Sequence, residues 1–304
     1  MNQFLQTLID GASLGSLYAL VALAIGLVFG IMRLINFVQS DYITIGGYAL
    51  IVPGAATAPA LFLGAWPLPF MIAGVILVVI AVAVLTERLA FRPLRNTNPA
   101  TLLISSFSLS YLLQNVILVI YSSKPKSVEM GAKLAEPLVF FDLRIPKIQL
   151  ITMLITVGLM VSMAIFLRRT SFGIQMRAAA EDFRMARLLG VRANAVITFA
   201  FVISGALGAI VSLLLVVQVG ILDYHMGVLP VIYAFFATVI GGMGSLPGAA
   251  LGGFIVGFSS QVLQAILPEA LRPFRDAFVF GMVILILLWR PQGLLIPVSR
   301  AERV

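Results

Sequence analysis

The run Arg168-Arg169-Thr170-Ser171-Phe172-Gly173-Ile174-Gln175-Met176-Arg177-Ala178-Ala179-Ala180-Glu181-Asp182-Phe183-Arg184-Met185-Ala186-Arg187-Leu188-Leu189-Gly190-Val191-Arg192-Ala193-Asn194 is the longest polar stretch of an otherwise apolar chain. About 20 apolar residues precede it and about 25 follow, each enough to cross a bilayer. A polar segment between two such runs is a loop between membrane spans. Within it, 178–189 has the composition of a short helix. Gly190 can take the left-handed stop and Asn194 can cap the next helix. Ala179, Phe183, Ala186 and Gly190 share one stripe at helical spacing, and Arg177, Glu181 and Arg184 share another. A helix with a small apolar face and a charged face suits docking to a soluble partner. It also suits lying on lipid headgroups, with its six Arg drawn to anionic lipid.

The rest of the chain agrees with a membrane setting. Of 304 residues, 61% are hydrophobic and 11% charged, where a soluble domain carries roughly 25% charged residues. No basic residue precedes the first apolar run, so the N-terminus does not read as a cleaved signal peptide. The chain has no cysteine, which excludes disulfides, thiol catalysis and cysteine metal sites. The net charge of +8 sits in loops between spans, so orientation explains it better than nucleic-acid binding.

Candidate spans are 10–32, 41–63 (interrupted by Pro53-Gly54), 69–90, 100–121, 149–167, 195–219, 227–242, 248–267 and 273–289. That predicts an all-α, polytopic transmembrane bundle of about eight or nine crossings, treated as a single transmembrane domain over 1–304. The segments around Gly241-Gly242-Met243-Gly244-Ser245-Leu246-Pro247-Gly248 either span fully or re-enter. With the N-terminus outside, thirteen of the twenty basic residues fall on the inner side. The positive-inside rule then puts the 168–194 loop and the C-terminus in the cytoplasm and the 122–148 loop outside. Small residues recur at four-residue spacing (Gly11/Gly15, Gly26/Gly30, Gly244/Gly248/Gly252, Gly253/Gly257), which lets helix backbones approach within lipid, inside the chain or between subunits. Two Gly/Pro-interrupted elements, 46–54 and 241–248, sit one in each half, a pointer to a midplane solute site.

Few motifs carry chemistry. No Gly-Lys pair exists, so no Walker sequence is present and any ATP must be hydrolysed by another chain. His225, the single histidine, lies in a predicted outside turn and has no obvious metal partners. Asp10 and Asp41 fall at predicted span ends, so the midplane carboxylate pair of a proton-coupled carrier is not expected. Asn36, Gln39, Ser40, Gln114 and Asn115 can either face a solute pathway or satisfy backbone groups at helix breaks.

Residues 178–191, Ala-Ala-Ala-Glu-Asp-Phe-Arg-Met-Ala-Arg-Leu-Leu-Gly-Val, resemble the cytoplasmic loop of the branched-chain amino acid permease family, the membrane subunits of ATP-binding-cassette importers. Ile35-Asn36-Phe37, the 241–249 segment and Trp289-Arg290-Pro291-Gln292-Gly293-Leu294 extend the resemblance. The Glu181-Asp182 pair and the first-span pattern favour the LivH type over its LivM-type partner. Two positions depart from the family: Val38-Gln39-Ser40 replaces Ala-His-Gly, and Tyr233 stands where a Lys is frequent. The resemblance implies an importer subunit for branched-chain amino acids or another small polar organic solute. It implies no cofactor in this chain, with ATP and Mg on two cytoplasmic ATPase subunits. It further implies a second, LivM-type permease subunit, a periplasmic binding protein and a bacterial inner membrane. The docking surface it implies comprises Arg177, Ala179, Glu181, Asp182, Phe183, Met185, Ala186, Leu189 and Gly190. Both departures lie near candidate pathway residues, so Tyr233 joins that set. An ion-driven secondary carrier is the alternative class.

Overall fold

A computed structural model describes residues 2–32, 36–95, 97–128, 130, 134, 136–140, 143–181, 183–242, 244–291 and 293–295. Among them lie α1 (Asn2–Met32), α2 (Gln39–Tyr48), α3 (Leu68–Thr86), α4 (Pro99–Tyr121), α5 (Lys147–Arg169), α6 (Ser171–Glu181), α7 (Phe183–Leu188), α8 (Ala193–Val219), α9 (Val228–Gly241), α10 (Leu246–Ile266) and α11 (Arg275–Trp289). Among the described residues, six segments are long and apolar enough to cross a membrane: Phe4–Met32, Leu68–Phe91, Pro99–Tyr121, Lys147–Arg169, Asn194–Val219 and Leu246–Ile266. The shorter α2, α9 and α11 accompany them. The molecule is an all-α polytopic bundle, and the strands among the described residues lie in its loops.

The chain forms two units, one made of Met1–Gly26, Lys133–Ile174 and Ile232–Val304, the other of Leu27–Ala132 and Gln175–Val231. In the first unit, small residues bring backbones together as their spacing predicts. A Cβ on Gly253 would stand 2.6 Å from Ala19 Cα, and one on Gly257 2.7 Å from Gly15 Cα, so α1 and α10 touch backbone to backbone. A Cβ on Gly252 would meet the Ala237 carbonyl oxygen at 2.1 Å, which closes α9 onto α10. These rows are therefore intramolecular packing, except at Gly30 and Gly244, where an added Cβ meets nothing within 4 Å. The turn between α9 and α10 uses Gly242 and Gly244 at φ +104° and +95°, a region that suits glycine. The segment after α11 returns to that turn. Leu294 and Leu295 donate their N–H groups to the Ile240 and Gly241 carbonyls at 2.7 and 3.2 Å. On the other side of this unit, Gln149 and Thr156 of α5 donate to Asp10 Oδ1 (2.9 Å) and the Ser16 carbonyl (3.2 Å) of α1.

In the second unit, α2, α3 and α8 make the core. A Cβ on Gly46 would stand 2.8 Å from Ser212 Cβ, and one on Gly205 2.9 Å from Ala83 Cβ. The span expected over 41–63 is corrected here. Its helix is the ten-residue α2, and 49–67 is a looped segment with one 3₁₀ turn at Leu63–Ala65. Pro53 cannot continue a helix, and the loop is secured by other means. Lys126, fully buried, donates from Nζ to the carbonyls of Gly54 (2.9 Å) and Ala56 (2.6 Å), while Phe62 N–H donates to the Leu50 carbonyl at 2.8 Å. The 122–148 loop carries short strands that composition did not signal. β1 (Lys126–Ser127) pairs with β4 (Ile221–Leu222) in the second unit, and β2 (Pro137–Phe140) with β3 (Leu143–Pro146) in the first.

Candidate functional site

Two groups of residues emerge, one on the 168–194 loop and one around the start of α2. The loop turns sharply off α5. Thr170 Oγ1 accepts from Gly173 N–H at 3.0 Å, and a Cβ on Gly173 would lie 2.3 Å from the Phe166 carbonyl oxygen. The short helix expected over 178–189 is two helices, α6 and α7, on either side of Asp182, which lies outside the described residues together with the Phe183 side chain. Gly190 takes φ +86°, the expected left-handed stop. Asn194 is not the cap of α8. It lies inside the helix, and its Oδ1 accepts from Arg95, while Arg192 stands at the N-cap without a side-chain cap bond.

The stripe assigned to docking needs correction as well. Ala179 and Ala186 are buried within the chain itself, so an Ala186→Glu change would disturb the chain's own packing. Arg177, Glu181 and Gly190 are exposed. The most exposed large apolar side chains of the loop are Met185 (58% exposed), Leu188 (81%) and Leu189 (84%). Leu188 was not among the sequence candidates. Periodicity shows which residues share a face, and small residues suit an inner face as well as a partner's groove.

Behind the loop, in the second unit, sits an ion pair that sequence reading missed. The span over Leu68–Phe91 ends in a π-helical turn, Glu87–Phe91, a local geometry frequent at functional sites. Glu87 is fully buried there and pairs with Arg95. Its second carboxylate oxygen accepts from Thr198 Oγ1 at 3.0 Å, and Arg95 also reaches Asn194. One carboxylate thus ties the end of α3 to the start of α8, the helix that leaves the loop.

Around α2 the pathway candidates Asn36, Gln39 and Ser40 come together, all buried. Their surroundings set their depth. Phe37 stacks on Phe107 of α4 at 4.0 Å between ring centroids, and Gln39 bonds Ser204, near the middle of α8. The start of α2 therefore lies at mid-span, which is what a re-entrant half-helix requires. Gln39 Nε2 donates to the Ser204 carbonyl (3.2 Å) and its Oε1 accepts from Ser204 Oγ (2.7 Å), so both ends of this amide help to hold α2 to α8. Ser40 Oγ donates to the Phe37 carbonyl at 2.8 Å. Asn36 Oδ1 accepts from Val38 N–H at 3.1 Å, and its Nδ2 is buried without a partner.

Gln114 lies near this centre and donates to Ser110 Oγ at 3.1 Å, whereas Asn115 is exposed on the outer apolar face of α4, bonded to the Tyr111 carbonyl. Tyr233 belongs to the other unit. It is buried in a stack with Tyr18 (5.1 Å) and Phe280 (5.3 Å), and its hydroxyl donates to Asp276. Asp41 is the principal revision. It does not sit at a span end: it is fully buried in the first turn of α2, close to Ser110 and Gln114 in the middle of α4. Among the described residues no cluster of His, Asp and Glu could hold a metal ion.

A Gln39→Leu substitution removes both bonds that tie α2 to Ser204 of α8. The expected cost is about 1–3 kcal/mol, read as a lowered unfolding midpoint together with weakened uptake. An unchanged midpoint would show that α2 does not depend on this clamp.

Residues 7–288 match the family described as "Branched-chain amino acid transport system / permease component". The chain is 35% identical over 304 aligned residues to the high-affinity branched-chain amino acid transport system permease protein BraD of Pseudomonas aeruginosa, covering 96% of this chain and 95% of that protein. It is 34% identical to the permease protein LivH of Escherichia coli K12, with the same two coverages. A more distant relative, the probable branched-chain amino acid transport permease protein LivH of Methanocaldococcus jannaschii, is 29% identical over 95% of this chain and 90% of its own length. A polytopic bundle and this end-to-end similarity converge: the chain belongs to the branched-chain amino acid transport permease family, as a membrane permease component.

Proposed function

We propose that the chain carries branched-chain amino acids inward across a bacterial inner membrane as the LivH-type permease subunit of an ATP-binding-cassette importer. Its partners are a LivM-type paralogue, two cytoplasmic ATPases holding ATP and Mg, and a periplasmic binding protein. The N-terminus is outside and the C-terminus cytoplasmic, and the whole chain works as one permease domain. End-to-end similarity to permeases whose names state this substrate class is the observation that carries the reading. The exposed Met185, Leu188 and Leu189, with Arg177 and Glu181 beside them, supply a docking face on the loop between α5 and α8. ATPase closure pushes on that loop, and the attached spans switch access from one side to the other. Asn36 and Gln114 contribute polar groups to the route, while Gln39 and Ser40 keep the start of α2 in place.

Leu189→Glu tests docking and orientation together, since a cytoplasmic ATPase can reach the loop on one side of the membrane only. Burying a leucine side chain is worth about 1.5–3 kcal/mol, and an unpaired charge in its place costs several kcal/mol more. Each 1.4 kcal/mol is roughly tenfold in association, so ATPase co-purification should drop at least tenfold. Membrane abundance should hold, because Leu189 is exposed in the chain. Full ATPase recovery with normal uptake would instead favour the headgroup role for this loop.

A further inference from the structure

Among the described residues near the start of α2, the polar side-chain atoms are matched except at two residues. Gln39 is matched by Ser204, Ser40 bonds the Phe37 carbonyl, Tyr42 and Thr86 share a hydrogen bond of 2.6 Å, and Thr44 Oγ1 donates to the Ser40 carbonyl at 2.9 Å. The exceptions are Asn36 Nδ2 and both carboxylate oxygens of Asp41. Asp41 is 0% exposed. The polar side chains beside its carboxyl are Ser40, Ser110 and Gln114, all neutral, and none makes a hydrogen bond of good geometry to it. Among the described residues no Lys or Arg serves as its counter-ion. Ser110 stands in the middle of the 23-residue α4, so the carboxyl sits at mid-depth of its span.

A carboxylate at that depth is costly unless a cation pairs with it, and intramembrane acids therefore mark sites of solute or ion passage. The fold meets most of the hydrogen-bonding needs of the neighbouring side chains and leaves both oxygens of its strongest acceptor without a partner of good geometry. A resident metal ion does not fit, because a single carboxyl among neutral hydroxyls and amides supplies too few ligands. A primary ammonium does fit: it brings one positive charge and three donors to two empty acceptor oxygens.

We infer that Asp41 is the site in the second unit that receives the ammonium group of the transported solute at mid-membrane. The assignment rests on the reading of the chain as an amino-acid permease. It makes the carboxyl a specificity determinant, separating amino acids from carboxylic acids of the same side-chain shape. The neighbouring amides of Asn36 and Gln114 are neutral donors suited to the solute's carboxylate end.

Two measurements test it. In proteoliposomes holding the assembled complex and its binding protein, Asp41→Asn is expected to lower L-leucine uptake at least tenfold, with Asp41→Glu retaining more uptake than Asp41→Asn. On the wild-type complex in nanodiscs, dicyclohexylcarbodiimide labelling of Asp41, read by peptide mass spectrometry, should slow at least threefold in millimolar L-leucine and not in the same concentration of 4-methylpentanoate, which lacks the amino group. The labelling arm decides the matter if Asp41→Asn does not assemble. Uptake by Asp41→Asn within threefold of wild type would overturn the assignment. So would labelling that L-leucine leaves unchanged, or no labelling at all, since a solute site must be reachable. A wild-type complex that moves no amino acid rejects the substrate reading and this inference with it. Wild-type uptake of L-leucine beside an equally active Asp41→Asn rejects the role of Asp41 alone.

Discussion

Gly257→Leu is expected to remove the folded protein from the membrane. A Cβ at position 257 would lie 2.7 Å from Gly15 Cα and 2.8 Å from the Leu14 carbonyl oxygen. These are backbone atoms that no rotamer change can move aside. Lipid tails are as apolar as the helices, so α1 and α10 are held by close packing instead of by exclusion from water. Pushing their backbones apart forfeits the dispersion contacts along the whole seam. Overpacking in a tight core typically costs about 1–3 kcal/mol, and a leucine at a backbone contact belongs at or above the upper end. Since 1.4 kcal/mol is a factor of about ten in an equilibrium constant, the folded fraction should drop at least tenfold. Size-exclusion chromatography of a fluorescent fusion in mild detergent would read this as loss of the monodisperse peak. Gly158→Leu and Gly281→Leu are the internal controls, because an added Cβ at either position meets nothing within 4 Å. Equal loss at 158, 281 and 257 would show that added bulk alone, not the seam, is responsible.

Arg95→Ala should be the most damaging single change outside the apolar packing. The Glu87 side chain is fully buried and that of Arg95 is 13% exposed. Removing the arginine leaves a buried carboxylate whose one remaining side-chain partner is the Thr198 hydroxyl. Breaking a buried pair in this way costs about 3–5 kcal/mol. Glu87→Ala should cost less, because the arginine left behind can turn toward solvent. Groups in direct contact are not additive, so the double variant should be more stable than Arg95→Ala alone. Thermal unfolding of the purified chain in detergent checks the order. Additive losses would mean the two residues act separately. Uptake should suffer alongside stability, since this pair joins the end of α3 to the helix that leaves the docking loop.

The long spans were legible because each satisfies the bilayer locally: about 20 apolar residues suffice whatever lies beside them. The glycine rows were legible for a related reason. Four-residue spacing puts Gly253 and Gly257 on one helical face, and a face without side chains admits a backbone. The 168–194 loop was found from its polarity alone, and its likeness to the permease family pointed to the class that end-to-end similarity then established. Even the left-handed stop at Gly190 follows from residue type.

Other features depend on which distant segments meet. Periodicity placed Ala179 and Ala186 on one stripe, yet whether that stripe faces a partner or the chain's own interior is set by packing, and they are buried. Glu87 and Arg95 pair within a network that Thr198 and Asn194, about a hundred positions away, close around them, and no local pattern marks that contact. Asp41 shows the limit most clearly. In sequence it stands at the start of an apolar run, which reads as a water-facing span end. In the fold, α2 begins deep beside the middles of α4 and α8, so the same carboxyl lies at mid-span without a partner. Hydropathy is a sum over neighbours in the chain, whereas the depth of a re-entrant helix is set by contacts between segments far apart in it.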